Sequence, residues 1–130
     1  MISKDETKKL HDTLIDTFGG THGIRDFSAL ESALSRPFQT FDNTELYPTT
    51  IDKAASLIES ILNNHPFVDG NKRTGYTLMR LFLINNGLDI NANQEEKYEF
   101  VISIASGNMQ FKEIVMWLEY HVNKQNDGLT

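Results

Sequence analysis

The sequence predicts an all-α fold, a bundle of about six helices in one domain that spans residues 1–130. Three observations support this prediction. Apolar residues recur at helical spacing along most of the chain. Polar residues that can cap free amide groups precede the apolar segments, and Gly, Pro or Asn interrupt the pattern between them. A length of 130 residues suits one hydrophobic core, and no repeat or linker marks a second domain.

Composition and charge exclude several classes of protein. The formal net charge is −6 and the cations are scattered, so we expect no nucleic-acid surface. The chain has no cysteine, which excludes disulfides and thiolate metal sites, and it has no apolar stretch long enough for a membrane helix. Because the first residues lack the apolar core of a signal peptide, a cytoplasmic location is the default expectation.

Two N-terminal helices are predicted from their caps. Ser3 with Glu6 can form a capping box before helix one, whose apolar residues share one face and which ends at Gly19-Gly20. Those apolar residues are Leu10, Leu14, Ile15 and Phe18. Ser28, three residues before a glutamate, repeats the capping pattern ahead of a short helix two, which Pro37 ends.

Two longer helices flank a short polar loop. We predict helix three from about Thr50 to Asn64, with His65 at its carboxyl end, because Pro66 disfavours helical geometry in the residue before it. Helix four begins near Asn71 and ends at Asn85-Asn86-Gly87. Since its apolar residues surround much of its circumference, we expect it to be the central and most buried helix.

The remaining segments are less regular. The segment from Phe38 to Pro48 mixes aromatic and polar residues without helical period and is predicted to be a loop or a small β-hairpin. Two more helices follow helix four, separated at Ser106-Gly107-Asn108, and the tail from about Lys124 is expected to fray. Their apolar residues are Phe100, Val101, Ile104 and Ala105, then Phe111, Ile114, Val115, Leu118 and Val122, with Trp117 expected in the core.

The loop between helices three and four carries the residues best suited to phosphate chemistry. A helix amino terminus offers unpaired amide groups and a positive dipole, and Gly70 would let a ligand approach the backbone closely. Lys72 and Arg73 would add full positive charge at the same point. The candidate nucleotide-binding residues are Gly70, Asn71, Lys72, Arg73 and Thr74.

His65 and Asp69 are the candidate reactive and metal-binding side chains. A histidine titrates near neutral pH, so His65 can take a hydroxyl proton as general base. The negative end of helix three would help hold the resulting imidazolium. Asp69 could hold Mg²⁺ on the phosphates, because carboxylate and phosphate oxygens are usual ligands of that cation. Phosphoryl or nucleotidyl transfer needs little more than these groups.

Each of these residues also has an ordinary structural explanation. Asp69 and Asn71 are common helix N-caps, and Lys72 and Arg73 could form a solvated face. A lone histidine before proline is more often structural than catalytic. The coincidence of all five in one loop nevertheless favours a working site.

The string from His65 to Arg73 resembles the Fic-family signature His-x-Phe-x-[Asp/Glu]-[Gly/Ala]-Asn-x-Arg at every fixed position. Other segments are similar, in the same order, to the death-on-curing (Doc) branch of that family, and the resemblance weakens after Ile90. Those segments are Leu10-His11-Asp12, Gly19-Gly20, Gly23-Ile24-Arg25-Asp26, Leu30 to Leu34 and Leu46 to Thr49. The resemblance implies an all-α Fic fold.

The same resemblance implies ATP with Mg²⁺ and transfer to a hydroxyl side chain of another protein. The resemblance implies these roles: His65 as base, Asp69 as metal ligand, Gly70 and Asn71 as phosphate contacts, and Arg73 as the clamp on phosphate charge. By resemblance, the segment from Phe38 to Pro48 corresponds to a hairpin flap that holds the target by strand addition.

Two departures set the expected subtype. Nucleotidyl-transferring Fic proteins usually have Gly where Lys72 stands and a second Arg where Tyr76 stands, whereas Doc toxins resemble this chain and transfer the terminal phosphoryl group. We therefore expect phosphorylation rather than AMPylation. In that branch the target is elongation factor Tu, whose modification halts translation, and a small antitoxin neutralises the toxin. No Glu here precedes Gly or Asn, as the self-restraining Fic helix requires, so inhibition is expected in trans.

Two other interpretations remain open. A metal-dependent phosphohydrolase would use the adjacent pair His11-Asp12 together with His65 and Asp69. A non-catalytic binding module would keep the motif only as an anion site or an antitoxin-docking surface. Near the motif, Arg25 and Asp26 could form a local ion pair.

Overall fold

Polar caps define where most of the helices begin. The computed structural model describes residues 2–124 and contains six helices there, which confirms the all-α class. They are α1 Lys4–Phe18, α2 Phe27–Ser35, α3 Thr50–Asn64, α4 Asn71–Asn85, α5 Gln94–Ala105 and α6 Phe111–His121. The predicted Ser3 cap is confirmed, since its Oγ accepts from the Glu6 N–H at 3.2 Å. The predicted Ser28 cap is wrong: α2 begins two residues earlier because Asp26 is the cap and accepts from the Ala29 N–H at 3.0 Å.

The centre of the fold is α3 rather than α4, contrary to the sequence prediction. Eight residues of α3 are buried, compared with five of α4. The reason is position: α3 packs against α2, α4, α5 and α6, whereas α4 keeps one side in solvent, where Leu81 is 41% exposed. The predicted bounds of α3 are confirmed, and its buried apolar residues include Ala54, Leu57, Ile58, Ile61 and Leu62.

A glycine sets the distance between α3 and α4. A Cβ built on Gly75 would lie 2.4 Å from Leu62 Cδ1 and 3.2 Å from Ile61 Cγ2. Both distances are shorter than ordinary van der Waals contact, so the two helices pack directly across the hydrogen of this residue. This spacing fixes the separation of the helix ends that border the motif loop.

The segment between α2 and α3 forms a hairpin. A short 3₁₀ helix, Arg36–Phe38, leads into β1 Thr40–Phe41, which pairs antiparallel with β2 Thr44–Glu45. The two turn residues, Asp42 and Asn43, have φ of 51° and 63°, as the tight turns of hairpins require. The predicted choice of loop or hairpin is therefore resolved in favour of the hairpin.

The arginine before this hairpin fixes its base. Arg36 donates from Nε to the Tyr47 hydroxyl at 2.9 Å and pairs through Nη1 with Glu59 Oε1, also at 2.9 Å. Lys53 donates to the Tyr47 carbonyl and pairs with Glu45 at 2.9 Å. The hairpin therefore projects from a base that is held by charge against α3.

A second strand pair lies near the end of the described chain. β3 Leu88–Ile90 pairs antiparallel with β4 Val122–Lys124, and the sequence analysis did not predict it. Val122, predicted on the apolar face of the last helix, lies in β4 instead. The fraying predicted from about Lys124 concerns residues 125–130, which lie outside the described residues. Among residues 2–124, none of the helices has the length and apolar character to cross a membrane.

The buried face of α1 differs from the predicted one. Thr7, His11 and Ile15 are the buried residues, one per helical turn, while Phe18 is 59% exposed. The predicted face is thus wrong at Phe18, and the burial of two polar residues has to be explained by the groups that they contact.

We predict that Gly75→Ala destabilises the protein by about 1–3 kcal/mol, because the new methyl group must displace Leu62. At an unobstructed helical position the same change would stabilise by about 0.5–1 kcal/mol, so the sign of the effect is diagnostic. Chemical denaturation measures it. Adding Leu62→Ala should recover part of the loss, and a strictly additive double variant would contradict the contact.

Candidate functional site

His65 lies at the carboxyl end of α3, as predicted, in an unusual backbone conformation. Its φ of 50° and ψ of 59° are left-handed, a conformation that costs a non-glycine residue about 1 kcal/mol or more. The turn ends the helix abruptly before Pro66 and leaves the imidazole exposed to solvent. The strained turn therefore presents the side chain at the rim of the motif loop.

The side chain of Arg25 stabilises this turn. Its Nε donates to the His65 carbonyl at 2.7 Å and its Nη2 to the Asn64 carbonyl at 2.6 Å, so a cation satisfies the last carbonyls of α3. The main-chain N–H of Arg25 also donates to the Pro66 carbonyl at 2.8 Å. The predicted ion pair with Asp26 is wrong, because that carboxylate caps α2 instead.

The side chain of Asn71 closes the motif loop. Its Oδ1 accepts from the Phe67 N–H at 3.0 Å, and its Nδ2 donates to the Phe67 carbonyl at 2.9 Å. Phe67 is fully buried, as predicted, and bridges to Ile24 in a single antiparallel pair. Both ends of the Asn71 amide therefore hold the side chain against the loop, and its main-chain N–H lies in the first turn of α4.

Asp69 is held at three atoms. Its Oδ1 accepts from the Gly70 N–H at 2.8 Å, and its Oδ2 accepts from the Thr21 N–H at 3.1 Å. Its main-chain carbonyl is 2.8 Å from Nε2 of His11. The carboxylate stays exposed. The N-cap residue of α4 is Gly70, so neither Asp69 nor Asn71 is the simple N-cap that the structural explanation required.

The start of α4 offers free positive groups. The first i→i−4 hydrogen bond of α4 runs from the Thr74 N–H to the Gly70 carbonyl at 3.0 Å. The amides of residues 71–73 come before it and have no partner within the helix. Lys72 and Arg73 are exposed beside them. Thr74 differs, because its side chain is fully buried and its Oγ1 has no hydrogen-bond partner within residues 2–124.

A cleft of about 680 Å³ brings most of the predicted residues together. The motif loop and α4 form one wall and α5 forms the other. Its lining includes His65, Asp69, Gly70, Asn71, Lys72 and Arg73, then Tyr76, Thr77, Gln94, Lys97, Tyr98 and Ile102. Thr74 is not among the lining residues. The α5 residues were missed by the sequence analysis, because no local pattern links them to a loop more than twenty positions away.

Phe18 supports one of the cationic side chains. The Arg73 guanidinium carbon lies 4.1 Å from the centre of the Phe18 ring, which explains why this aromatic residue is exposed at the end of α1. The stacking restricts a long, flexible side chain at the mouth of the cleft.

The loop after α1 is held by a histidine that lies between two carboxylates. His22 Nδ1 lies 3.0 Å from Asp12 Oδ1, and His22 Nε2 lies 2.7 Å from Asp16 Oδ1. Both carboxylates raise the pKa of His22, chiefly through the hydrogen bond to Asp12. Two carboxylate partners need two N–H donors, so the imidazolium is the form that fits. The same loop carries the Thr21 amide that contacts Asp69.

The geometry argues against the phosphohydrolase interpretation. His11 is 1% exposed and its Nε2 is engaged with a carbonyl, so it is not free to bind a metal alongside Asp12. In the part of the chain that the structure describes, His, Cys, Asp and Glu side chains form no cluster of three suited to a metal ion. A single carboxylate such as Asp69 would bind Mg²⁺ only with a ligand that supplies the other oxygens.

Comparison with known proteins agrees with this geometry. The model of the Fic/DOC family matches residues 1–83, which include α1 to α3, the hairpin, the motif loop and most of α4. The chain belongs to the Fic/Doc family.

Two relatives show how far the similarity extends. This Fic/Doc protein is 42% identical over 76 residues to a protein named toxin Doc from Mycolicibacterium smegmatis, and the match covers 58% of each chain. It is 27% identical over 113 residues to the protein kinase doc of Escherichia phage P1, covering 87% of this chain and 88% of the phage protein. The predicted family is confirmed.

On the expectation that this cleft binds ATP, we predict that Phe18→Ala weakens that binding by about two- to fivefold, because the exposed cation–π contact that places Arg73 contributes roughly 0.5–1 kcal/mol. Isothermal titration with a non-hydrolysable ATP analogue measures the affinity. Tyr120→Ala, on a residue that is 86% exposed on α6, is the matched control and should leave the affinity unchanged. Unchanged binding by Phe18→Ala would contradict the role of Phe18 in placing Arg73.

We predict that the stability contributed by His22 is lost as the pH rises. Its folded-state pKa lies above the ordinary value of 6.5, so the contribution is complete below pH 6.5 and disappears as the pH passes the raised pKa. Melting temperatures of the parent and of His22→Gln, measured across this range, should converge at higher pH. A difference that is constant or that widens with pH would contradict the assignment.

Proposed function

We propose that this Fic/Doc protein is a Doc-type toxin that transfers the γ-phosphoryl group of ATP to a hydroxyl side chain of a target protein. The observation that carries the proposal is the similarity to the phage protein kinase doc along 87% of the chain, combined with a cleft that unites the motif residues. The proposed target is elongation factor Tu, whose modification would halt translation. A small antitoxin would inhibit the toxin in trans.

His65 is the proposed general base. Its imidazole is exposed at the cleft, and its ring has no hydrogen bond to other residues within the described range 2–124, so it is free to contact an entering hydroxyl. The target oxygen would form a bond to the γ-phosphorus as the bond between that phosphorus and ADP breaks, and the hydroxyl proton would pass to His65. Arg25 holds the base in position through the His65 carbonyl.

The start of α4 is the proposed phosphate site. The amides of residues 71–73, the dipole of a 15-residue helix and the two cations Lys72 and Arg73 all favour negative charge at one point. Asp69 fits a role as the protein ligand of Mg²⁺, because its exposed oxygens each accept one N–H bond and keep further lone pairs. Bound Mg²⁺ would neutralise the charge that develops on the phosphate oxygens.

Two features favour phosphoryl transfer over AMPylation. Tyr76 lines the cleft where nucleotidyl-transferring relatives are expected to carry a second arginine. Arg80, one turn further along α4, does not replace that arginine, because its Nε and Nη2 donate to the two carboxylate oxygens of Asp89, at 2.9 and 3.0 Å. The grip on a triphosphate along α4 is therefore weaker than two arginines would give.

The hairpin is the proposed docking edge for the target chain. Both strands are exposed along their whole length, and Phe41 at 75% and Leu46 at 50% place apolar side chains beside the free edge. An extended target segment could pair with this edge and bring its hydroxyl toward His65. Strand addition supplies affinity through the main chain and leaves the side chain to be modified exposed.

The deciding experiment incubates the protein with elongation factor Tu and ATP labelled either on the γ-phosphate or on adenine. We expect γ label alone on the target, and none with His65→Ala. Adenine label on the target would contradict phosphorylation and show AMPylation instead. Absence of both labels, with His65→Ala as toxic in cells as the parent, would favour a non-catalytic binding module. Circular dichroism of His65→Ala provides the folding control.

A further inference from the structure

His11 is buried beside the candidate site, and none of the proposed chemical steps uses it. Its side chain is 1% exposed, and its ring stacks on Phe67 with a centroid distance of 3.9 Å and an interplanar angle of 6°. Its Nε2 lies 2.8 Å from the main-chain carbonyl of Asp69. The ring therefore fills the space between α1 and the motif loop and contacts that loop at two residues.

The direction of this hydrogen bond is fixed by its chemistry. A carbonyl oxygen can only accept, so Nε2 carries the proton and donates it. The carbonyl belongs to the peptide group that joins Asp69 to Gly70. The N–H of that same peptide group donates to the Asp69 carboxylate at 2.8 Å. His11, the peptide plane and the carboxylate thus form one connected series of hydrogen bonds.

Because residue 70 is glycine, the orientation of the Asp69–Gly70 peptide depends on this series of hydrogen bonds. Gly70 has a φ of 75°, and a Cβ there would lie 3.0 Å from Ile15 Cδ1 and 3.6 Å from His11 Nε2. Glycine tolerates several orientations of the preceding peptide at little cost, so the backbone alone does not fix this plane. A donor on the carbonyl side holds the plane and, through the Gly70 N–H, the carboxylate.

We propose that His11 is a positioning residue that locks the Asp69–Gly70 peptide plane and so aims the Asp69 carboxylate at a divalent cation on bound phosphates. This inference rests on the proposed function, because it takes Asp69 as the metal ligand. The second carboxylate oxygen is fixed independently by the Thr21 amide, from the loop that follows α1. One helix and its following loop therefore orient both oxygens of the carboxylate.

Two substitutions separate the donor from the aromatic ring. His11→Gln places an amide nitrogen as many bonds from Cβ as Nε2 and can still reach the Asp69 carbonyl, whereas His11→Asn ends one bond short. Both remove the ring stacked on Phe67. A role in packing alone predicts similar defects in the two variants, and a positioning role predicts that glutamine rescues.

The measurement is Mn²⁺ binding, read by water proton relaxation with the protein saturated by a non-hydrolysable ATP analogue. We expect His11→Asn to weaken Mn²⁺ binding by about tenfold, as loss of an orienting partner of a metal ligand does, and His11→Gln to stay close to the parent. The Gly70 amide resonance should shift in His11→Asn and keep its place in His11→Gln.

Two controls make the outcomes decisive. Leu118→Ala removes a buried side chain in α6 and should lower stability without changing Mn²⁺ binding. Asp69→Asn should weaken Mn²⁺ binding. If it does so while both His11 variants bind like the parent, or are equally weakened, the positioning role is wrong and the proposed function stands. If Asp69→Asn leaves binding unchanged, the metal assignment in the proposed function falls, and this inference with it.

Discussion

The side-chain amide of Asn71 closes the loop between α3 and α4, and the rest of the site depends on that closure. It both accepts from and donates to the main chain of Phe67. The loop turns so that the Phe67 ring is fully buried, while His65 and Asp69 on either side remain at the surface. An aspartate at position 71 could accept but not donate, and a leucine could do neither. The residue type therefore follows from the need for both bonds.

Support for this loop comes from the N-terminal third of the chain, which contributes no proposed base or metal ligand. Arg25 satisfies the carbonyls at the end of α3, His11 contacts the Asp69 carbonyl, and Phe18 stacks under Arg73. These contacts give a physical reason why the family match spans residues 1–83 as one unit rather than the motif alone. The α5 wall of the cleft lies outside the segment that the family model matches.

Local signals in the sequence were sufficient for α3 and the motif. Helical apolar spacing and the following proline agreed, and the observed bounds are the predicted ones. One failure is local, since Asp26 rather than Ser28 caps α2. Most of the others depend on contact between distant segments. The predicted apolar face of α1 did not include His11, because its partner, the Asp69 carbonyl, is 58 positions away. The pairing of β3 with β4 and the inward side chain of Thr74 likewise have no local pattern.

The distribution of charge along α4 bears on which phosphoryl group would be transferred. Free positive groups are concentrated in the first turn, at the amides of residues 71–73 and at Lys72 and Arg73. One turn further, Tyr76 is neutral, since burial raises the pKa of its hydroxyl. Arg80 lowers the pKa of Asp89, and the carboxylate of Asp89 neutralises the charge of Arg80. A triphosphate that extended along α4 would need a cation at that depth. A triphosphate that placed only its terminal group at the helix start would not, and this second arrangement would bring the γ-phosphorus next to the loop that carries His65.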